Sequence, residues 1–94
     1  MLFLSSNLKI AFMESSIEIS LYPLTDEYIP EVVDFIERLK KHPEIKVEAN
    51  GLSTQIFGNY RKIMQVLTDE MEKTFEKKHI SVCVMKILNV ANRT

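Results

Sequence analysis

An eleven-residue run in the middle of the chain, residues 50–60, holds the side chains best suited to recognise a ligand. Ser53, Thr54 and Gln55 follow one another there, between two turn signals that each contain a glycine. Hydroxyl and amide groups both donate and accept hydrogen bonds, so they can bind a neutral heteroaromatic ring without a change of protonation. The run contains no carboxylate, histidine, lysine or arginine, and it therefore indicates binding rather than catalysis.

Elsewhere in the chain, residues that could catalyse a reaction or bind a metal are few. His42 and His79 are the only histidines, and both fall at predicted element boundaries, where structural or solvated roles are common. Cys83 falls within a predicted strand, where a small buried side chain is expected rather than a reactive thiolate. Glu31 and Asp34 suit a solvated helix surface, and no cluster has metal-ligand spacing. We predict no catalytic residue, no metal ligand and no cofactor.

Length and composition favour one soluble domain. The 94 residues should bury roughly 60 to 65% of the surface that the unfolded chain exposes. Hydrophobic residues make up 46% and charged residues 27%, which is ordinary for a globular protein. A net charge of -1, from 12 basic and 13 acidic residues, gives no field that would attract nucleic acid or an anionic membrane. A single cysteine excludes an internal disulfide and fits a cytoplasmic location.

Residues 1–12 are predicted to form an N-terminal extension to a single domain at residues 13–94. The segment is apolar enough to resemble a signal peptide, but it lacks a basic start, and four polar residues interrupt its apolar stretch. We expect either that Met13 is the natural start or that the segment is a loose arm. Nowhere does the chain approach the ~18 consecutive apolar residues of a membrane-spanning helix.

Hydrophobic periodicity predicts six elements in the order β-α-β-β-α-β. In the first strand, Ile17, Ile19 and Leu21 alternate with polar residues, whereas apolar residues at helical spacing mark the two helices. Asn50-Gly51 predicts a hairpin between the second and third strands, since both residues tolerate positive φ. The predicted ranges are 15–22, 45–50, 53–57 and 80–88 for the strands, and 28–41 and 60–78 for the helices.

This order predicts an α+β, ferredoxin-like fold, with a four-stranded antiparallel sheet and two helices on one face. Right-handed crossovers place the first and third strands in the centre. The last strand is apolar on both sides, so one of its sides should lie on the bare face of the sheet. Contiguous apolar surface there predicts a homo-oligomer, a dimer or tetramer, formed by face packing, edge pairing or both. The predicted interface residues are Cys83, Met85 and Ile87.

Other functions found on this fold require residues that the chain lacks. A phosphate site of the acylphosphatase type needs a cation in the first β-α loop, but residues 24–27 are acidic. A metal-chaperone domain carries Cys-x-x-Cys in that loop, and the sequence has none. Tyr22 and Phe57 could imitate the aromatics of an RNA-binding sheet. The neutral charge balance and the apolar neighbouring strand favour burial instead, so we expect no nucleic-acid partner.

The remaining candidate site is a set of polar and aromatic residues on the two predicted central strands. Their side chains could form a small pocket, or could simply bond to the backbone and to cross-strand neighbours. The residues alone leave both interpretations open. The candidate ligand-binding residues are Ser20, Tyr22, Ser53, Thr54, Gln55 and Phe57.

Three segments carry a family resemblance: residues 19–24 (ISLYPL), 51–58 (GLSTQIFG) and 84–89 (VMKILN). In this order they resemble the YkoF-like thiamine- and hydroxymethylpyrimidine-binding family, over roughly residues 15–89. The resemblance implies ferredoxin-like domains, which occur either in tandem or as single domains that assemble into dimers and tetramers. This chain resembles the single-domain kind.

The resemblance also implies non-enzymatic binding of thiamine or its hydroxymethylpyrimidine moiety, in vitamin B1 uptake or salvage. An aminopyrimidine offers ring-nitrogen acceptors and an amine donor, which Ser53, Thr54 and Gln55 match. Tyr22 or Phe57 would contact its face. Two hypotheses therefore stand: a small-molecule binder, and an oligomeric interaction module in which the same polar run is merely structural.

Overall fold

The computed structural model describes residues 13–51 and 53–89, and the predicted extension at residues 1–12 lies outside them. The four strands form one antiparallel sheet in the order β2-β3-β1-β4, so the first and third strands are central, as predicted. The α+β ferredoxin-like fold is confirmed. Its elements are β1 (Glu14–Pro23), α1 (Tyr28–Lys40), β2 (Ile45–Ala49), β3 (Thr54–Asn59), α2 (Tyr60–Phe75) and β4 (Ser81–Leu88).

The core lies between the two helices and one face of the sheet. In β1, every second side chain from Ser15 to Pro23 is buried, because alternate residues of a strand point to the same face. Ser15 lies at the end of this face, and its hydroxyl donates to the Leu88 carbonyl at 2.7 Å, so burial leaves it bonded. The core residues are Ile17, Ile19, Leu21, Phe35, Leu39, Ile45, Ile56, Ile63, Val66 and Leu67.

The helix α2 begins with a side-chain cap and ends earlier than its periodicity predicts. Asn59 precedes it, and the Asn59 Oδ1 accepts a hydrogen bond from the Lys62 backbone N–H at 3.2 Å. The helix ends at Phe75, not near residue 78. The Lys77 N–H donates to the Thr74 carbonyl at 3.2 Å, which tightens the last turn before the chain reverses into β4.

The connection between β2 and β3 is longer than the Asn50-Gly51 signal suggests. Ala49 pairs with Thr54, so the described part of the connection consists of Asn50, Gly51 and Ser53. The Asn50 N–H donates to the Ser53 carbonyl at 3.0 Å, and the Ser53 N–H donates to the Asn50 Oδ1 at 2.9 Å. No described residue other than glycine has positive φ, so Asn50 closes the loop through its side chain rather than by a left-handed backbone.

In β4, the side that was predicted to lie on the bare face of the sheet faces the helices, and the other side is exposed. Cys83 lies opposite Leu21 and Met85 opposite Ile19, so both share the face of β1 that the helices cover, and both pack against the core. Ile87 points to the same side near the end of the sheet and stays 46% exposed. Because this strand is apolar on both sides, only its register with β1 decides which side is buried. The bare face carries Val82, Val84, Lys86 and Leu88.

Candidate functional site

A cleft opens where β1 extends beyond the start of β3. The pairing of β1 with β3 ends at Ile19 opposite Thr54, whereas the pairing with β4 continues to Pro23 opposite Ser81. Among the described residues, 21–23 therefore have a strand neighbour on the β4 side alone. The N-terminal half of α1 and the β2–β3 loop close the space that a longer β3 would have filled.

The cleft has a volume of about 550 Å³, and its walls are largely apolar. Such a volume falls within the ~300–1,000 Å³ range of small-molecule sites. The apolar part is formed by Leu21, Pro23, Leu24, Ile29, Val32, Val33 and Ile36. The remaining lining residues are Ser20, Tyr22, Tyr28, Asn50, Gly51, Ser53 and Thr54.

The wall from α1 presents apolar side chains that the described chain leaves partly uncovered. Tyr28, Ile29 and Val33 are 52, 61 and 51% exposed, although they sit on the helix that supplies Phe35 and Leu39 to the core. Exposed apolar surface beside a cavity gains free energy when it is covered. An aromatic or aliphatic ligand would be stabilised by displacing water from this wall.

The opposite wall supplies most of the hydrogen-bonding groups. Two hydrogen bonds between Asn50 and Ser53 hold the loop, which gives these polar residues defined positions at the cleft. Thr54 begins β3 and is only 5% exposed, so its side chain lies deep in the molecule. The wall therefore combines hydroxyl and amide groups with a fixed backbone, as recognition of a small polar ring requires.

Four of the six predicted ligand-binding residues line the cleft, and two do not. Ser53 and Thr54 lie there together with Ser20 and Tyr22, whose side chains point to the bare face because they are paired with Val84 and Val82. Gln55 and Phe57 lie on the bare face of the sheet, since consecutive residues of a strand point to opposite sides. There Phe57 lies under Lys46, whose Nζ is 6.0 Å from the ring centroid.

Most of the lining residues that sequence reasoning missed are on α1, and the others are Leu21, Pro23 and Leu24. Tyr28, Ile29, Val32 and Val33 form two adjacent apolar pairs, which give the first half of this helix a wider apolar surface than a core-facing stripe needs. This wide apolar surface is the sequence feature that could have identified these residues. It predicts a surface for a ligand or a partner, but it does not predict that the β2–β3 loop lies opposite.

The C-terminal half of α1 is surrounded by charged groups, unlike the N-terminal half that lines the cleft. Arg38 joins the helices: its Nη1 donates to the Glu70 carboxylate at 2.8 Å and to the Glu70 carbonyl at 2.9 Å, and its Nη2 donates to the Thr74 hydroxyl at 2.5 Å. The His42 Nε2 lies 2.8 Å from the other Glu70 carboxylate oxygen. Burial alone would raise the pKa of Glu70, but hydrogen bonds from His42 and Arg38 outweigh it and hold the pKa below the usual value of 4.5. We call Arg38, His42, Glu70 and Thr74 the ion network.

A second charged group lies on another side of α1. The Lys77 Nζ contacts the Glu31 carboxylate at 2.7 Å and the Asp34 carboxylate at 3.2 Å. The hydrogen bond with Glu31, opposed by burial and supported by Asp34, raises the pKa of Lys77. Lys77 is therefore already engaged as a cation, and it does not line the cleft.

Other chemistry finds no support in the described residues. Burial raises the pKa of the Cys83 thiol, which disfavours the reactive thiolate. Within residues 13–51 and 53–89, no three His, Cys, Asp or Glu residues are grouped so as to hold a metal ion. None of the helices described is long and apolar enough to span a membrane.

Comparison with known proteins identifies relatives by family and by fold. The model of the YKOF-related family matches residues 14–90. No curated protein matches the chain. The fold is similar to that of a hypothetical protein from Methanocaldococcus jannascii, with a TM-score of 0.74 and 23% identity over 87% of this chain and 86% of the other.

Two further solved structures share the fold. A protein from Thermotoga maritima, proposed to act in thiamine biosynthesis or salvage, has a TM-score of 0.70 and 17% identity, over 79% of this chain and 81% of its own. A protein from Streptococcus pneumoniae has a TM-score of 0.67 and 19% identity, over 85% and 89% of the two chains. At these identities the likeness concerns the fold alone.

Proposed function

Because the chain belongs to the YkoF-related family, we propose that it binds thiamine or its hydroxymethylpyrimidine moiety in the cleft, without catalysis, in thiamine uptake or salvage. The observation that supports this most is the cleft itself: an apolar wall from α1 faces polar groups held by the β2–β3 loop. The structurally similar protein from Thermotoga maritima is proposed to act in thiamine biosynthesis or salvage, which also supports a thiamine-related ligand.

The chemistry of the two walls matches the two properties of an aminopyrimidine. Its flat ring would cover the exposed side chains of Ile29 and Val33 and stack against Tyr28 at the edge of the cleft. Its ring nitrogens and amino group would exchange hydrogen bonds with the hydroxyls of Ser53 and Thr54. Such a site uses few polar groups for orientation and apolar area for affinity.

The test is calorimetric titration with thiamine and hydroxymethylpyrimidine, with uracil as the control ligand. The variant Thr54→Val keeps the shape of the buried side chain and removes its hydroxyl. Losing one hydrogen bond to the ligand costs about 1 kcal/mol, so affinity should fall about three- to tenfold. Gln55→Ala is the matched control, since Gln55 is the next residue but lies on the bare face of the sheet.

Each outcome has a definite meaning. Saturable heat with thiamine or hydroxymethylpyrimidine but not with uracil, weakened by Thr54→Val and unchanged by Gln55→Ala, supports the site. Absence of heat with every ligand, from a folded sample, would overturn the proposal. Equal losses in both variants would place the ligand elsewhere on the sheet.

A second candidate function, assembly into a homo-oligomer, is favoured by the bare face of β4. Val82, Val84 and Leu88 are 44, 52 and 60% exposed there, and Tyr22 on the adjacent strand is 53% exposed. Tyr22, Val82 and Val84 form an apolar patch, which the Lys86–Glu18 pair separates from Leu88, and such a patch is typical of an interface between subunits. Val84→Lys should reduce the molecular mass in sedimentation equilibrium, whereas a wild-type protein that already sediments as a single 10.9 kDa species would contradict assembly.

A further inference from the structure

The described residues that line the cleft carry no charge, but its rim is acidic. None of the described residues that line it is ionisable apart from two tyrosines. The connection from β1 to α1 runs between Leu24 and Tyr28, which both line the cleft, and it contains Asp26 and Glu27. Both acidic side chains are exposed, and neither forms an ion pair with another described residue.

We propose that the cleft selects cationic and uncharged ligands over phosphorylated ones, with Asp26 and Glu27 as the specificity-determining residues. This inference rests on the proposed function and specifies its ligand. Thiamine carries a positively charged thiazolium ring, whereas a phosphate or diphosphate group gives the molecule a negative end. The acidic rim would attract the first and repel the second.

Among the described residues that line the cleft, none offers what a phosphate site in a protein uses. Such sites hold the anion with arginine or lysine, or with the free N–H groups at the start of a helix. The start of α1 is near the cleft, but Glu27 precedes its first residue and already places a carboxylate at the positive end of the helix dipole. Lys77 reaches α1 from the other side and is bound by Glu31 and Asp34.

The experiment measures affinities for thiamine, thiamine monophosphate and thiamine diphosphate at low salt and at physiological salt. We expect wild-type protein to bind thiamine at least tenfold more tightly than the diphosphate. In the double variant Asp26→Lys/Glu27→Lys, affinity for thiamine should fall about threefold or more, and affinity for the diphosphate should rise. Salt should reduce both changes, since exposed charges are screened over about 8 Å at physiological ionic strength.

A matched control keeps the same change of net charge at another place. Glu72→Lys/Glu76→Lys alters two exposed residues at the C-terminal end of α2, which contributes no residue to the cleft lining. It should leave the preference for thiamine unchanged. Far-ultraviolet circular dichroism would show whether the lysines prevent α1 from forming correctly. In that case Asp26→Asn/Glu27→Gln is the second variant, and it should reduce the preference for thiamine over the diphosphate by a smaller factor.

The possible failures are distinguishable. If wild-type protein binds thiamine and thiamine diphosphate equally, or if neither rim variant changes their ratio, the inference is overturned while the proposed function stands. If the control variant shifts the ratio of the two affinities as much as the rim variant does, the overall charge of the protein determines ligand preference. The inference about Asp26 and Glu27 is then also overturned. If a folded sample binds none of the three compounds, both the inference and the proposed function fail.

Discussion

The two halves of α1 meet the rest of the molecule in opposite ways. Around Arg38, near its C-terminal end, the polar groups are paired across to α2, and Glu70 is held at 3% exposure by hydrogen bonds to its carboxylate and carbonyl. Around Tyr28, Ile29 and Val33, at its N-terminal end, apolar side chains are half exposed beside an open cleft. The C-terminal end of the helix is closed by protein, whereas the N-terminal end is left open on the side that lines the cleft, although Lys77 contacts Glu31 on another side.

This difference separates the part of the helix that holds the fold from the part that is available to a ligand. A buried carboxylate is tolerated only while its partners are present, so the ion network should contribute strongly to stability. Side chains that are half exposed contribute little to folding and can be covered by something else. We therefore expect substitutions at the two ends to affect different measurements.

The largest effect is expected from Arg38→Met, which removes the cation that bridges the two helices. Glu70 would stay buried without its shortest contact from arginine, and the Thr74 hydroxyl would lose its donor. Breaking one partner of a buried ion pair costs about 3 kcal/mol, so urea unfolding should show that decrease in the free energy of unfolding. Affinity for thiamine should stay unchanged while the protein is folded.

The control for this change is Lys40→Met, which removes an exposed cation two residues away on the same helix. Its only described ion pair is with Glu37 at 3.8 Å, and both side chains are largely in solvent. The free energy of unfolding should change by less than about 0.5 kcal/mol. Equal effects of Arg38→Met and Lys40→Met would show that the ion network does not hold this end of α1.

A smaller, pH-dependent effect is expected from Glu70→Gln. The pKa of Glu70 in the folded protein lies below its usual 4.5, so the unfolded chain binds the proton more readily. The stability that ionised Glu70 contributes is therefore fully present above about pH 4.5, and it is lost as pH falls through the lowered folded value. At pH 7 the variant should be less stable by about 2 kcal/mol, the value of a hydrogen bond to a charged group.

Denaturant unfolding at several pH values checks this sign. The difference between wild type and Glu70→Gln should narrow as the pH falls below about 5. A difference that grows between pH 5 and pH 3 would mean that the carboxyl binds its proton more readily in the folded protein. In that case the contacts from His42 and Arg38 would not outweigh the burial of Glu70.

The fold could be predicted from sequence because its signals are local and agree with one another. Ile17, Ile19 and Leu21 alternate, the helices have regular apolar stripes, and the β-α-β-β-α-β order leaves few topologies. In β4 this reasoning fails, since Val82 and Cys83 are both apolar and no local feature decides which is covered. The pairing of Leu21 with Cys83, a contact between distant parts of the chain, decides it.

The candidate site could be predicted only in part, for a related reason. The Ser-Thr-Gln run marks the right loop, but the side chains of Thr54 and Gln55 point to opposite faces of the sheet, and Gln55 does not line the cleft. The α1 wall was missed because Ile29 and Val33 look like ordinary core positions at helical spacing. Their exposure depends on how far β3 extends along β1, and no local pattern encodes that length.

The smallest effect on stability is expected at the open end of α1, in Val33→Ser. Val33 is already 51% exposed, and valine and serine have similar helix propensities, so the free energy of unfolding should change by no more than about 0.5 kcal/mol. Affinity for thiamine should nevertheless fall about threefold, since the bound ring would lose apolar contact with the cleft wall. Glu37→Ser, one turn further along the helix and absent from the lining, is the control that should change neither quantity greatly. A loss of 2 kcal/mol or more in Val33→Ser would mean that this half of α1 also holds the fold, and the distinction between its two ends would fail.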